Sequence, residues 1–313
     1  YHHPVEREVV LMQDDRWPVS DSQQPPYRWI CSLKVFFPEP VFYPLSLVEG
    51  MGRSWSDIQS GTTGCGSGTL ISPMQVLTSA HVLCGLKMWW DERKGGQLCF
   101  QLVPAKKVLV LPARNESTTH RTQAFGSFSA KHIHIPAAFR KAMEVPVRQL
   151  TPERVRQALQ WDYGLINLAP RLHKAPRWTR QPGWWGAAPD FLIGAEPTEQ
   201  KGEVCVAGYP GELGAGPCTT LWQSCDQLVE LAERDADKAL LYYQADTSAG
   251  MSGSPVWTQQ RDGRYRLLAV HSSFLRLTEK ASGRKRTVNT GVRISSRMKR
   301  HLKRWGLGRQ GII

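Results

Sequence analysis

The sequence predicts an all-β fold, built as a barrel or a sandwich. Short apolar or alternating runs recur along the 313-residue chain, and glycine or proline turn formers separate them. The runs do not alternate with helical patterns, which argues against the βαβ units of a parallel sheet. The segments that predict strands are ICSLKVFF, GTLISPMQVLTSA, KVLVLP, YGLINLA, EVCVAGYP, LLYYQA and YRLLAVHS.

Two segments depart from this pattern and predict helices. In TPERVRQALQ, Thr151 is a favourable N-cap and Pro152 suits the first turn. Near the C-terminus, apolar residues recur at helical spacing over residues 295–306, at Met298, Leu302 and Trp305. We expect this second helix to dock its apolar face on the body of the protein, with its Lys and Arg side chains in water.

The composition is that of a folded globular protein, with 41% hydrophobic and 21% charged residues. No apolar run approaches the length of about 18 residues that a membrane helix needs, so no membrane span is expected. The first residues, YHHPVEREVV, lack the apolar core of an export signal. We therefore expect that such a signal is either absent or already removed.

The chain is strongly basic, with 40 Lys and Arg against 27 Asp and Glu and a formal net charge of +13. The basic residues are concentrated late, in SGRKRTVNTGVRISSRMKRHLKRWG. A surface of this kind attracts polyanions such as nucleic acid, acidic glycans or anionic lipid, and it also favours solubility. The sequence leaves both explanations open.

The chain has seven cysteines, and no pair of them has CxxC spacing. HExxH is absent as well, so we expect neither a zinc site nor any other metal. The number of cysteines favours an oxidising compartment, and we expect a secreted, periplasmic or otherwise extracytoplasmic protein. His132 and His134 share one face of a predicted strand, where a structural pair is more common than a metal site.

Residues 244–257, QADTSAGMSGSPVW, surround Ser252 with turn-forming residues. This pattern suits an ordinary loop before a strand. It also suits a tightly curled backbone beneath an exposed nucleophilic hydroxyl, provided that the fold supplies a base and a group that orients it.

His81 is the best candidate for the base among nine histidines, because GSGTLISPMQVLTSAHVL delivers it at the end of a predicted strand. Asp162, in QWDYGLINLA, precedes another strand and is the preferred orienting carboxylate, while Asp190 is the alternative. The resulting order, His–Asp–Ser, disfavours the α/β-hydrolase fold, in which the serine comes first and sits in G-x-S-x-G.

Three segments, GSGTLISPMQVLTSAHVL, WDYGLINL and AGMSGSPVW, resemble the catalytic segments of chymotrypsin-like serine proteases. Within that superfamily the chain is most similar to the V8-like glutamyl endopeptidases. Five further segments carry this closer likeness: VVLMQDDRWPVSDSQQPPYRWICSL, LPARNESTTHRTQAFGSFSAKHIHIP, VAGYPGE, TLWQS and NTGVRIS. Together they extend the resemblance from about Val9 to Trp305.

The resemblance implies two antiparallel six-stranded β-barrels with the active site between them. We expect the protease domain at residues 9–306, with barrels at about 27–140 and 175–294, the helix at 295–306 and a tail at 307–313. Residues 1–8 would be the remnant of a propeptide or an N-terminal extension. Residues 114–161 and 170–200 are expected to be long connections.

The resemblance also assigns roles to the residues of the site. His81, Asp162 and Ser252 would form the triad, and the backbone N–H groups of Gly250 and Ser252 would form the oxyanion hole. This chemistry needs no cofactor. We expect the protein to act on polypeptides as a monomer.

The specificity pocket has two interpretations. Asp246 stands six residues before Ser252, where trypsin-like enzymes place the acid that binds Arg or Lys. In V8-like enzymes, by contrast, a Thr or Ser and a histidine bind a glutamate side chain with help from the new N-terminus. Thr247, His271 and Val9 match those positions, so we expect cleavage after glutamate.

The resemblance further implies a disulfide near the histidine, for which Cys65 and Cys84 are the candidates. Cys218 could pair with either Cys205 or Cys225. A different class of function also remains open, namely a binding protein that keeps the barrel scaffold and uses its basic surface for polyanions.

Overall fold

The computed structural model describes residues 10–11, 13–42, 61–116, 121–122, 124–170, 182–194, 202–229, 239–278 and 285–306. Strands dominate these residues, which confirms the all-β class. The strands are β1 (Trp17–Pro18), β2 (Ile30–Val41), β3 (Gly61–Ser72), β4 (Gln75–Thr78), β5 (Cys84–Asp91), β6 (Gln97–Pro104), β7 (Lys107–Pro112), β8 (Asn115–Glu116), β9 (Arg121–Thr122), β10 (Phe128–His134), β11 (Gly164–Leu168), β12 (Phe191–Ile193), β13 (Glu203–Gly208), β14 (Trp222–Gln227), β15 (Leu240–Tyr243), β16 (Pro255–Gln259), β17 (Tyr265–Thr278) and β18 (Lys285–Arg293). The α-helices are α1 (Ala80–Leu83), α2 (Ala137–Met143), α3 (Pro152–Leu159) and α4 (Ser296–Arg304).

The first half of the chain closes into a six-stranded barrel with the strand order β10-β11-β4-β3-β2-β7. Its interior is filled by fully or almost fully buried aliphatic side chains, among them Leu33, Leu70, Val76, Leu77 and Ile166. Burying each such side chain contributes about 1.5–3 kcal/mol, so the barrel provides a rigid base for residues at its rim. Strand β10 lies inside the segment expected to be a connection, and β11 lies beyond the expected range of the first barrel.

The second half forms an eight-stranded sheet, and an antiparallel bridge between Leu228 and Tyr243 joins β14 to β15, so that β13 to β18 close into the expected six-stranded barrel. Its order is β1-β14-β13-β16-β17-β18-β15, and β12 pairs in parallel with β17. The N-terminal strand β1 joins this sheet by pairing with β14, so a segment from the start of the chain lies beside the second half.

The two predicted helices are present. Thr151 caps α3 by accepting a hydrogen bond from the Arg154 N–H at 3.3 Å, as its sequence indicated. Helix α4 buries Met298 and Leu302, which confirms the expected apolar face. Its basic residues do not all face water, because the Arg297 guanidinium lies 3.8 Å from the Trp161 ring centroid. No helix in the described parts of the chain is long and apolar enough to span a membrane.

Candidate active site

The pairing of two barrel strands brings His81 and Asp162 together. Strands β4 and β11 are antiparallel, and Thr78 at the end of β4 faces Gly164 at the start of β11. His81 follows β4 on the single turn of α1, and Asp162 comes just before β11. Both side chains therefore lie at the same end of the barrel.

The Asp162 carboxylate holds His81 at two points. One oxygen lies 2.7 Å from His81 Nδ1, and the other accepts the His81 backbone N–H at 2.9 Å. Asp162 is fully buried, and His81 is only 5% exposed. Because a carboxylate can only accept hydrogen bonds, Nδ1 carries a proton and Nε2 of the neutral ring is left as the acceptor. Asp190, the alternative acid, is exposed on the loop before β12.

Sequence reasoning missed a further partner of the carboxylate. The Ser272 hydroxyl, on β17 of the second half, donates to the same Asp162 oxygen that contacts the ring. Ser272 follows His271, whose backbone N–H and C=O bond to Ser254 and Gly253. Strand β17 thus connects the acid to the Ser252 loop.

The main chain around Ser252 packs against the segment that carries His81. A Cβ at Gly253 would overlap the Ser67 carbonyl oxygen and the Thr78 hydroxyl, and it would lie 3.1 Å from the Ser79 nitrogen. Gly253 has a φ of +86°, which favours glycine. The Ser252 loop therefore reaches the end of β4, where His81 begins its turn.

Ser67 on β3 ties the barrel to this loop. Its backbone N–H donates to the Ser252 carbonyl oxygen at 2.8 Å. Its hydroxyl donates to the Gly250 carbonyl oxygen at 2.8 Å and accepts the Tyr209 N–H at 2.9 Å. Ser67 stands in the GSGTLIS segment, but its sequence context gave no sign of this role.

Two hydrogen bonds set the direction of the peptide groups before Gly250 and Ser252. The Ala249 carbonyl oxygen accepts the Gly211 N–H at 2.6 Å, and the Met251 carbonyl oxygen accepts the Ser254 N–H at 2.9 Å. In a trans peptide the C=O and N–H point in opposite directions. The N–H groups of Gly250 and Ser252 are therefore each directed away from a carbonyl that the protein holds in place.

Gly250 needs to be glycine for two reasons. Its φ of +98° is unfavourable for other residues. A Cβ would lie 2.5 Å from the Tyr209 carbonyl oxygen and 2.7 Å from Cys218 Sγ. The sequence predicted the conformational requirement but not the close neighbours.

The disulfides differ from those expected. Cys65 on β3 pairs with Cys218, and Cys205 pairs with Cys225 across strands β13 and β14. The predicted Cys65–Cys84 disulfide is therefore wrong, and so are the predicted pairings of Cys218 with Cys205 or Cys225. The Cys84 thiol instead donates to the Ala80 carbonyl oxygen at 3.1 Å. Cys65–Cys218 joins the barrel to the residues beneath Gly250.

Asp246 is occupied by the start of the chain. Its two carboxylate oxygens accept the backbone N–H groups of Leu11 at 2.7 Å and Asp15 at 3.2 Å. Burial raises the pKa of Asp246, and these two N–H groups oppose the rise. Ser224 completes the contact, since its hydroxyl donates to Asp15 at 2.7 Å and accepts the Asp246 N–H at 2.8 Å.

Thr247 and His271 are both fully buried. The Thr247 hydroxyl has no hydrogen-bond partner among the residues that the structure describes. His271 Nδ1 is hydrogen-bonded to the Tyr243 hydroxyl, which also lies 3.3 Å from the Thr290 carbonyl oxygen. Val9, the remaining residue expected to bind substrate, lies outside the described residues.

One group of possible metal ligands occurs in the described ranges, formed by Glu203, Cys205 and Cys225. The two cysteines are joined in a disulfide, so they offer no thiolate to a metal. His132 and His134 lie on β10 with ring centroids 6.4 Å apart, and His134 stacks on Trp305 at 5.7 Å. His134 is therefore part of the contact that docks helix α4.

Comparison with known proteins agrees with this architecture. The family model described as the trypsin-like peptidase domain matches residues 66–265. Among solved structures, a Glu endopeptidase in complex with MPD has a TM-score of 0.56 and 17% sequence identity, covering 96% of this chain and 100% of that one. The protease Anisep from Arthrobacter nicotinovorans has a TM-score of 0.54 and 11% identity, covering 97% and 100%. No curated protein sequence matches the chain.

At these identities the structural matches show a shared fold. The family model, in contrast, spans more than half of the chain and includes the Ser252 loop. The chain therefore belongs to the trypsin-like peptidase domain family and is a serine peptidase by family.

Proposed function

We propose that the protein is a serine endopeptidase that uses His81, Asp162 and Ser252 as its triad and prefers glutamate before the cleaved bond. The observation that carries the first part is the double hydrogen bond from His81 to the buried Asp162. This contact fixes the tautomer that a general base needs at Nε2. It therefore favours catalysis over a binding protein that merely kept the scaffold.

The proposed reaction proceeds in two steps. His81 Nε2 takes the Ser252 hydroxyl proton as the oxygen bonds to the peptide carbonyl carbon. The same proton then passes to the leaving amine as the C–N bond breaks, which leaves an acyl-enzyme. Water repeats the sequence in the second step, so that the acid product leaves and Ser252 is restored.

The backbone N–H groups of Gly250 and Ser252 would stabilise the negative oxygen that forms in both steps. Support for this role comes from the anchored carbonyls of Ala249 and Met251, which hold the two peptide groups in position before the reaction. Preorganised donors of this kind are worth about 2.7–4 kcal/mol each in the transition state.

The glutamate preference rests on the contrast between Asp246 and Thr247. Both Asp246 oxygens already accept backbone N–H groups, which disfavours this carboxylate as the ligand of a substrate Arg or Lys. The buried Thr247 hydroxyl and the His271 ring suit a substrate carboxylate instead. Because both side chains are fully buried, the pocket wall must move aside before a glutamate side chain can reach them.

The test is hydrolysis of matched chromogenic peptides with Glu, Asp, Arg or Phe before the scissile bond, for the wild type and for Ser252→Ala, Thr247→Ala and Asp246→Asn. We expect cleavage after Glu, loss of all cleavage in Ser252→Ala, and a selective rise in KM for the Glu peptide in Thr247→Ala. Cleavage after Arg that disappears in Asp246→Asn would refute the glutamate pocket and keep the triad.

The start of the mature chain is part of the proposal. A chain that begins at Val9 would place its amino group near the substrate carboxylate, and its release requires cleavage of the Glu8–Val9 bond. A glutamate-specific enzyme can make this cut itself. If Ser252→Ala produced alone still matures at Val9, an external protease is responsible.

Secretion and contact with polyanions complete the proposal. Two disulfides fit an oxidising compartment. Helix α4 carries basic residues and no acidic one, so its surface suits an anionic polymer. Retention on a heparin column that falls steeply with salt would support the contact, and retention unchanged by neutralising Arg300, Lys303 and Arg304 would refute this site.

A further inference from the structure

The N-terminal segment formed by residues 10–11 and 13–16, here called the strap, carries a buried arginine toward the Ser252 loop. The Arg16 side chain is only 3% exposed. It makes a paired contact with Asp14, from Nε at 2.8 Å and from Nη2 at 2.7 Å. The remaining nitrogen, Nη1, donates to Glu212 at 2.8 Å and to the Ser248 hydroxyl.

The charge of this guanidinium is maintained despite its burial. Burial lowers the pKa of Arg16, but the hydrogen bonds to Asp14 and Glu212 outweigh that effect and leave the pKa above its usual value. The same contact with Arg16 lowers the pKa of the Asp14 carboxyl. Arg16 and Asp14 are therefore both ionised at neutral pH, and the bonds between them are charge-assisted.

The two distant partners of Arg16 flank the hydrogen bond that directs the Gly250 N–H. That bond joins the Gly211 N–H to the Ala249 carbonyl oxygen at 2.6 Å. Glu212 follows Gly211 in the chain, and Ser248 precedes Ala249. One nitrogen of Arg16 thus holds both sides of this contact together.

The Ala249–Gly250 peptide lies in a turn that the Met251 N–H closes by donating to the Ser248 carbonyl oxygen at 2.9 Å, and the Gly211 N–H holds its carbonyl oxygen. Gly250 itself has wide conformational freedom, so its peptide can rotate once Gly211 and Ala249 separate. Rotation would turn the Gly250 N–H away from the developing oxyanion. The strap is anchored independently at Asp246 and Ser224, so it can present Arg16 as a fixed group.

We propose that Arg16 is a positioning residue that aligns the Gly250 N–H for catalysis by bridging Ser248 and Glu212. This inference rests on the proposed serine protease mechanism. It makes the strap a part of the active enzyme, acting through a side chain that no substrate needs to touch.

The test compares Arg16→Gln with Arg293→Gln, a matched change at a half-buried arginine that donates to the Leu240 carbonyl oxygen at 2.7 Å. Active sites are first counted with a serine-directed fluorophosphonate, and kcat and KM are then measured per active site. The inhibition constant of a peptide aldehyde, whose adduct places an oxygen in the oxyanion hole, is measured in parallel.

For Arg16→Gln we expect kcat to fall about 10–100-fold, less than or comparable to the roughly 10²–10³-fold cost of deleting one oxyanion donor. KM should change less than about threefold, and the aldehyde should weaken by about the same factor as kcat. Arg16→Lys should recover only part of the loss, because an ammonium lacks the fork that holds Asp14, Glu212 and Ser248 together.

A kcat per active site within twofold of that of Arg293→Gln would overturn the inference. If Arg16→Gln does not fold, Glu212→Gln provides the test, since it keeps an acceptor and removes one charge. A kcat unchanged in Glu212→Gln would then overturn it. Failure of the underlying proposal is distinct, because a wild type that neither cleaves peptides nor reacts with the fluorophosphonate would refute the protease mechanism itself.

Discussion

Replacing Asp162 by Asn tests the role of the buried carboxylate while it preserves the size of the side chain. The Asn carbonyl can still accept the His81 backbone N–H, which Asp162 now holds at 2.9 Å. Its NH₂ group then faces His81 Nδ1 and donates to it. The imidazole proton is forced onto Nε2, which can no longer accept the Ser252 proton.

The size of the effect follows from this change of tautomer. The same substitution in the protease used to define this mechanism lowers kcat by about 10⁴, which we expect here as well. At about 1.36 kcal/mol per factor of ten, the barrier rises by about 5 kcal/mol. Binding of substrate does not involve Asp162, so KM should stay within a few-fold.

The assay is steady-state hydrolysis of the best peptide near neutral pH, with folding checked by thermal unfolding. Asp190→Asn is the matched control, because this exposed aspartate was the alternative acid in the sequence and should retain wild-type activity. A folded Asp162→Asn enzyme with kcat within tenfold of the wild type would refute the reasoning. Loss of activity in Asp190→Asn alone would transfer the role to that residue.

Two further predictions concern stability. Replacing both Cys65 and Cys218 by Ala should lower the free energy of unfolding more than replacing both Cys205 and Cys225. The first disulfide spans 153 residues and the second spans 20. The loss of chain entropy in the unfolded state is therefore worth about 5 kcal/mol for the first and about 3 kcal/mol for the second. Denaturant midpoints under non-reducing conditions test this, and the reverse order would contradict it. Burial and then neighbouring arginines lower the pKa of His301, so the folded state binds its proton less tightly than the unfolded chain does. This contribution to the free energy of unfolding should therefore be complete above about pH 6.5 and be lost as the pH falls below it. The loss should be smaller in His301→Asn. If the wild type and His301→Asn show the same dependence of stability on pH, His301 is not its cause.

Local patterns in the sequence placed His81 at the end of one strand and Asp162 before another, and the pairing of those strands in the structure brings the two residues together. Each residue adjoins a strand with clear apolar alternation, and strand ends meet when the strands pair. Turn chemistry likewise identified the tight loop around Ser252, because Gly250 and Gly253 have the positive φ values that glycine favours.

Contacts between distant parts of the chain were beyond such reasoning. The Leu11–Asp246 hydrogen bond joins residues 235 positions apart, and the Cys65–Cys218 bridge spans 153. Spacing alone does not determine such pairs, since they depend on how the two halves pack. The hydrogen bond from Ser272 to Asp162 was not predicted for the same reason, because the two residues are 110 positions apart in the sequence.

The second sheet shows a related difficulty. The resemblance to known proteases predicted six strands here, and the structure adds to them the short strand β1 from the N-terminal segment and the parallel strand β12. Strands as short as Trp17–Pro18 carry too little alternation to be recognised. Their position follows from anchors outside the strand, such as Asp246 and Ser248.

The most direct test of the central claim is covalent labelling with a fluorophosphonate, followed by mass spectrometry of the peptide that contains Ser252. We expect one adduct per chain, attached at Ser252, with labelling abolished in Ser252→Ala and strongly slowed in Asp162→Asn. Peptide cleavage that persists in Ser252→Ala, or an adduct at another residue, would contradict it.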